Sequence, residues 1–153
     1  MGYAADSRLR KTFEHFLDIQ QTDGGWRCNI FFFGHGPETE FSNPGPTLNA
    51  LDAFRFTKYL NKEPALDRAA AFLLDHWETR MPLGPCHYGI GTLFMQVEYP
   101  FSSYNLFAYV YVLSFYDAAK KGPRFLDALE TLKSKLSDGK IVVQRVNRKL
   151  GDL

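Results

Sequence analysis

Phe16-Leu17 is echoed by Phe72-Leu73 at a spacing of 56 residues, and Leu129 lies 57 beyond Phe72. A second echo, Glu63-Pro64 and Gly122-Pro123, recurs at 59. A period of this size constrains architecture more than any local pattern, because a repeated unit cannot bury its apolar side alone and must stack on its neighbour. The echoes fall at like places. The first set lies inside helices that end in a turn, and the second closes one helix and opens the next. The expected organisation is therefore an all-α chain of about two and a half helical hairpins, with long connections inside each hairpin and short ones between them.

Apolar spacing supplies the helices. The first is expected from Asp6 or Ser7 to Gln21, with Leu9, Phe13, Phe16 and Leu17 on one face and Lys11, Glu14 and Asp18 facing away. The second starts near Pro44 or Pro46 and ends near Leu60, burying Leu48, Ala50, Leu51 and Phe54. The third opens with Pro64 and stacks Leu66, Ala69, Ala70, Leu73 and Trp77, leaving Asp67, Arg68, Asp75 and Glu78 to water. The fourth, Ser103 to Ala119, carries Leu106, Phe107 and Tyr109 to Leu113, then Phe115 and Tyr116; it shows no polar face and is expected to be buried all round. The fifth follows Gly122-Pro123 with Phe125, Leu129, Leu132 and Leu136 and ends at Asp138-Gly139. The β-branched tail from Ile141 to Val146 is expected to be extended and to cover part of that last stripe.

The chain of 153 residues is long enough to bury a core and short enough for one domain, residues 1–153. A net charge of +1 argues against a polyanion-binding tail, and Arg145, Arg148 and Lys149 read as a short solvated run, so no nucleic-acid partner is expected. No stretch is a solid apolar span of about 20 residues, so no membrane span is expected. Two cysteines, Cys28 and Cys86, are too few for a disulfide scaffold, and with no secretion signal the expected compartment is the cytoplasm. The outlying number is the aromatic content of 16%. Rings remove large apolar areas from water, so the chain is packed or lined with them.

The end of the first helix reads Gln20-Gln21-Thr22-Asp23-Gly24-Gly25-Trp26, preceded by Phe16-Leu17. This resembles the repeat motif of the terpene cyclase and protein prenyltransferase superfamily, in which outer-helix ends carry an aromatic, a Gln and then D-G-G-W or a close variant. The stretch from Tyr99 to Leu106, followed by Leu129 to Gly139, looks like the C-terminal half of bacterial squalene-cyclase-like repeat proteins. The resemblance implies an α/α toroid, here a partial one, in which outer and inner helices alternate around an axis. Physically, Gly24-Gly25 can supply φ > 0 after a helix C-terminus, Gln20 or Gln21 can bond backbone groups at a neighbouring helix end, and Trp26 can cover that junction.

The departures from the motif bear on chemistry. The second unit has Asp75-His76-Trp77 and Pro82-Leu83-Gly84 in place of the Gln and Gly-Gly-Trp, and the third keeps Asp138-Gly139 but has Ile141 instead of Trp. Neither D-x-D-D nor D-C-T-A-E, the proton-donating clusters of the family's cyclases, occurs. The chain is also too short for the barrel, partner subunit and zinc site of a protein prenyltransferase. No catalytic residue and no cofactor are assigned.

The two long connections, Thr22 to Asn43 and Met81 to Ser102, fall on one end of the array and hold the candidate site. Phe31-Phe32-Phe33 before Gly34-His35-Gly36-Pro37 cannot all face water cheaply, and the second loop carries Tyr88, Leu93, Phe94, Met95 and Tyr99 among glycines. Phe33, His35, Tyr88 and Tyr104 are the candidate ligand-binding residues, at the wall of a cavity between the second and fourth helices. The competing reading, core packing of the same rings, is the more economical one. Cys28, His35, Cys86 and His87 contain no chelating pair of the C-x-x-C kind, so no metal is expected. Cys28 and His35 could form a nucleophile and base only with an orienting acid, Asp23 or Glu38.

The function expected on this reading is a squalene-cyclase-like or prenyltransferase-like repeat domain that binds a hydrophobic ligand of isoprenoid type or a partner segment. Alternatives are an enzyme of that superfamily with catalytic groups outside this chain, and a structural interaction module. An open array also wants its missing neighbours. The expectation is either a homodimer or, favoured by the abrupt start at Met1-Gly2, the C-terminal part of a longer protein.

Overall fold

Three helices begin on proline, whose fixed φ suits the first turn and whose missing N–H is not needed there. They are α2 (Pro44–Phe54), α3 (Pro64–Thr79) and α6 (Pro123–Lys133). The other three are α1 (Ser7–Asp18), α4 (Leu106–Leu113) and the single turn α5 (Asp117–Lys120). The structure, a computed structural model, describes residues 6–28, 40–57, 62–101 and 104–146. Side chains cap two of the starts: Asp6 accepts the Arg8 N–H, and Asn105 accepts the Ala108 N–H at 3.0 Å.

α2 packs on α3 and on α4, while α4 packs on α6 and α3 on α5 and α6. The closest-packed pairs, α2–α3 and α4–α6, are thus joined by the short connections and not by the long ones expected inside each hairpin, and α2–α4 and α3–α6 contacts bring the two pairs together. Between them lies the core, in which Leu51, Phe54, Leu66, Leu73, Leu106, Tyr109 and Leu113 are fully buried. α3 carries out its predicted division, with Leu66, Ala69, Ala70, Leu73 and Trp77 buried and Asp67, Arg68, Asp75 and Glu78 exposed. α1 sits outermost with no fully buried residue, held by Phe13 against Phe54 at 5.0 Å between ring centroids.

The fourth helix departs from expectation. Instead of running from Ser103 to Ala119, it stops at Leu113 and the chain restarts at Asp117 after an extended Tyr116. The Ser114 hydroxyl donates back to the Tyr111 carbonyl at 2.7 Å, and the Tyr116 hydroxyl reaches the Leu51 carbonyl in α2. Nor is the helix buried all round, since Tyr111 and Phe115 are 44% and 48% exposed. Apolarity on every face marks what a helix could bury, whereas burial depends on how many neighbours reach it.

Four two-residue strands complete the described elements: β1 (Glu98–Tyr99), β2 (Leu136–Ser137), β3 (Lys140–Ile141) and β4 (Arg145–Val146). β2 and β3 form a hairpin around Asp138-Gly139, both in the left-handed region. β4 runs parallel to β1, so the tail is extended as expected; its start at Ile141 pairs with Leu136 of the last stripe, and its end lies along the second long loop. The Gln144 and Arg145 N–H groups donate to the Val97 carbonyl at 2.8 and 3.2 Å. Arg145, read from the sequence as solvated, pairs at 2.6 Å with Glu98, whose side chain is only 8% exposed.

Candidate functional site

The turn after α1 is built from the Asp-Gly-Gly-Trp string. Asp23 Oδ1 accepts the Gly25 N–H at 3.1 Å and the Ser42 hydroxyl at 2.7 Å, and Oδ2 accepts the Ser42 N–H at 2.7 Å. Gly24 has φ 93, and a Cβ there would stand 2.7 Å from the Arg68 carbonyl oxygen in α3. Trp26 donates its backbone N–H to Thr47 Oγ1 at 3.0 Å and its indole N–H to the Phe16 carbonyl at 2.7 Å, with its ring stacked on Phe54. Gln20 Nε2 donates to the carbonyls of Gly24 and Ala65 at 2.6 and 2.7 Å, while its Oε1 accepts from Arg68 at 2.8 Å. These residues therefore join α1, α2 and α3.

The period reappears in the backbone. Left-handed residues follow α1, α3 and α6 at Gly24 (φ 93), Arg80 (φ 57) and Asp138 (φ 51), the last of them in the β2–β3 turn. At the second junction charged groups replace the glutamine. Arg124 pairs with Asp75 and with Glu78, the Trp77 indole donates to Asp127 at 2.9 Å, and Arg80 lies 5.1 Å over the Trp77 ring. Trp77, Glu78, Arg80, Pro123, Arg124 and Asp127 line an open cleft of about 270 Å³ between α3 and α6. That is a different place from the expected cavity.

Of the expected site residues, Phe33 and His35 lie outside the described residues. Tyr88 and Tyr104 do come together, edge to face at 5.5 Å, and both are half-buried. Their neighbours are core: Phe94 packs on Tyr104 at 4.9 Å, and Tyr88 lies so close to Gly45 that a Cβ there would stand 2.7 Å from its ring. The fully buried His76 is hydrogen-bonded on both ring nitrogens, at 2.9 Å to the Met81 carbonyl and 2.7 Å to the Tyr104 hydroxyl. A carbonyl only accepts, so Nε2 carries the proton and Nδ1 accepts from Tyr104. Burial, opposed by the backbone bonds at Met81 and Tyr88, holds the His76 pKa below its usual 6.5. Burial likewise raises the Tyr104 hydroxyl far above the ordinary range, so it stays a donor.

A second aromatic group, not singled out as a site from the sequence, faces outward. Tyr99 meets Phe101 at 5.7 Å, Phe101 meets Phe107 at 4.4 Å, Phe107 lies parallel to Tyr111 at 6.0 Å, and Tyr111 meets Phe115 at 5.2 Å. The Arg55 guanidinium, paired with Asp52, caps this ladder 5.0 Å over Tyr111 and 4.5 Å over Phe115, and 4.0 Å over Phe56. Phe56 is 56% exposed. The signal was present as Phe107, Tyr111 and Phe115 at i, i+4 and i+8, one face of a helix. Beyond Phe115, Lys62, Lys120 and Lys121 all act on the exposed Asp117 carboxylate and hold its pKa down, after the direct Lys120 hydrogen bond.

Among the described residues no three His, Cys, Asp or Glu side chains are grouped so as to hold a metal ion, and no helix is long and apolar enough to cross a membrane. Compared with protein-family models, with curated proteins and with solved structures, the chain finds no match.

Proposed function

We propose that this chain is a helical-repeat domain of the terpene cyclase and prenyltransferase type, a partial α/α toroid, that binds an elongated apolar molecule with an anionic head rather than cyclising one. The observation that carries the reading is the outward ladder of Tyr99, Phe101, Phe107, Tyr111 and Phe115 on α4 and the loop before it. Isolated exposed rings need no explanation, but a continuous row of them is a surface with affinity for apolar chains. Three lysines beyond Phe115, Lys62, Lys120 and Lys121, gather around Asp117, and Lys62 and Lys121 add positive charge that complements a phosphate or carboxylate head. Support for the superfamily comes from the Gln20 clip between α1 and α3 and from the left-handed residue that recurs with the sequence period.

The test is calorimetric titration with farnesyl phosphate, with farnesol as the headless control. Binding is expected for the phosphate, weakened about tenfold or more by Tyr111→Ala with Phe115→Ala, and weakened for the headless alcohol. Two outcomes overturn the reading: no heat at about 0.1 mM ligand with folded protein, or equal binding by the double variant. Self-association that Tyr111→Glu abolishes, without ligand binding, would assign the ladder to a second copy of the chain instead.

A further inference from the structure

Cys28 and Cys86 come from different long loops, yet both abut one buried side chain. Asn43, the residue before α2, is fully buried, and its Oδ1 accepts the Cys28 backbone N–H at 2.8 Å. The other edge of the same carboxamide lies against the turn that carries Cys86. A Cβ on Gly84 would stand 2.7 Å from Asn43 Nδ2 and 2.8 Å from the Ser42 carbonyl oxygen, so only glycine lets the turn approach so closely. The turn is itself rigid: His87 N–H donates to the Gly84 carbonyl at 2.9 Å, and Leu83 and Tyr88 exchange backbone bonds at 3.0 and 3.1 Å. Both thiols are free and half-buried, and they are hydrogen-bond neighbours of each other.

We propose that Cys28 and Cys86 form a reversible disulfide, made by exchange with a small-molecule disulfide of the glutathione type, that staples the segment after the first repeat turn to the Leu83–Tyr88 turn. The exchange balances in two steps. One cysteine thiolate attacks a sulfur of the small disulfide, breaking its S–S bond, releasing one small thiol and leaving a mixed disulfide on the protein. The second cysteine thiolate attacks the protein sulfur of that mixed disulfide and expels the second small thiol. Two protein thiols are oxidised, one small disulfide is reduced, and the two cysteine protons end on the released thiols.

The surroundings set the conditions. Burial and the adjoining Cys28 push the Cys86 thiol above its ordinary range, so its thiolate is scarce at neutral pH and grows with alkalinity. Asn43 opposes this: its NH2 group lies at the Cys86 sulfur, where it favours the thiolate. Because the cysteines are far apart in sequence, the closed form links two repeat units and removes disorder from the unfolded chain, which raises the thermal midpoint.

The experiment incubates the reduced protein with oxidised glutathione at mildly alkaline pH and maps the peptides by mass spectrometry without reduction. The expected product is one peptide pair joined through Cys28 and Cys86, with both free thiols lost together, no bound glutathione, a raised thermal midpoint, and reversal by dithiothreitol. Cys28→Ser and Cys86→Ser should each trap the remaining cysteine as a glutathione adduct. Two glutathiones per wild-type chain, disulfides between chains, or two thiols still free in wild type while both react in urea would overturn the proposal. None of these readouts depends on the ligand reading of the aromatic ladder.

Discussion

Gln20 donates from Nε2 to the carbonyl oxygen of Ala65 at 2.7 Å, joining the end of α1 to the first turn of α3. The same amide also closes its own turn at Gly24, so one side chain ties the turn after α1 to the start of α3. That relationship ranks the residues of the turn. Trp26 is 3% exposed, and Trp26→Ala should destabilise by about 3 to 5 kcal/mol, as aromatic truncations in cores do. Gln20→Ala, which loses bonds in a partly wet site, should cost about 1 to 2 kcal/mol. Urea unfolding followed by circular dichroism gives both; a Gln20 effect equal to that of Trp26 would mean that the amide, not the ring, holds the junction.

The adjacent glycine makes a sharper contrast. A Cβ on Gly25 would stand 2.5 Å from Ser42 Cβ and 2.8 Å from Thr47 Oγ1, the oxygen that accepts the Trp26 N–H. Gly25→Ala should therefore cost about 2 kcal/mol or more through overpacking. At Gly91 a Cβ would meet nothing within 4 Å, so Gly91→Ala should stay within about 0.5 kcal/mol of the parent. Thermal midpoints of the two variants side by side decide the matter.

The buried His76 makes stability depend on pH. Its folded pKa is depressed below the usual 6.5, so the unfolded chain binds the proton more readily. Stability from this group is complete above that value and is lost as pH falls from it toward the folded pKa. A midpoint-against-pH series should show a decline on that acid side which His76→Gln flattens. Parallel curves for parent and variant would remove His76 from the account.

Tyr104 is the donor that keeps His76 Nδ1 satisfied, at 2.7 Å. Tyr104→Phe leaves the ring and its Phe94 contact but strips the hydroxyl, and should cost about 1 to 3 kcal/mol through an unpaired buried nitrogen. The same variant should leave titration at the exposed ladder unchanged. A loss of ligand heat with unchanged stability would return Tyr104 to the binding surface, where the sequence alone had put it.

The Arg145–Glu98 pair tests the tail. Glu98 keeps only 8% of its side chain exposed whereas Arg145 keeps 39%, so water partly screens the pair. Removing the cation strands a nearly buried carboxylate, and Arg145→Ala should cost about 1 to 3 kcal/mol, less than breaking a fully buried pair. Arg145→Ala with Glu98→Gln should recover part of the loss, and no recovery in the double variant would show that the tail is held by its backbone bonds to Val97 instead.

What the sequence determined by itself is local and periodic. The prolines at 44, 64 and 123 start helices because the ring suits a first turn, and Asp23-Gly24-Gly25-Trp26 makes the turn that its residue types permit. Helical spacing placed Leu66, Ala69, Ala70, Leu73 and Trp77 of α3 on the buried side correctly, because one face of that helix is plainly polar. α4 offered no such polar face, so its spacing could not say which rings would find neighbours. Tertiary packing decided this: Tyr109 is taken into the core against Leu73 and Trp77 of α3, Leu113 is buried with it, and Tyr111 and Phe115 are left outside. It also turned Arg145 inward to Glu98 and brought Cys28 and Cys86 to the two edges of Asn43. Residue spacing reports which side chains share a face, but only the approach of segments distant in the chain determines which faces water can still reach.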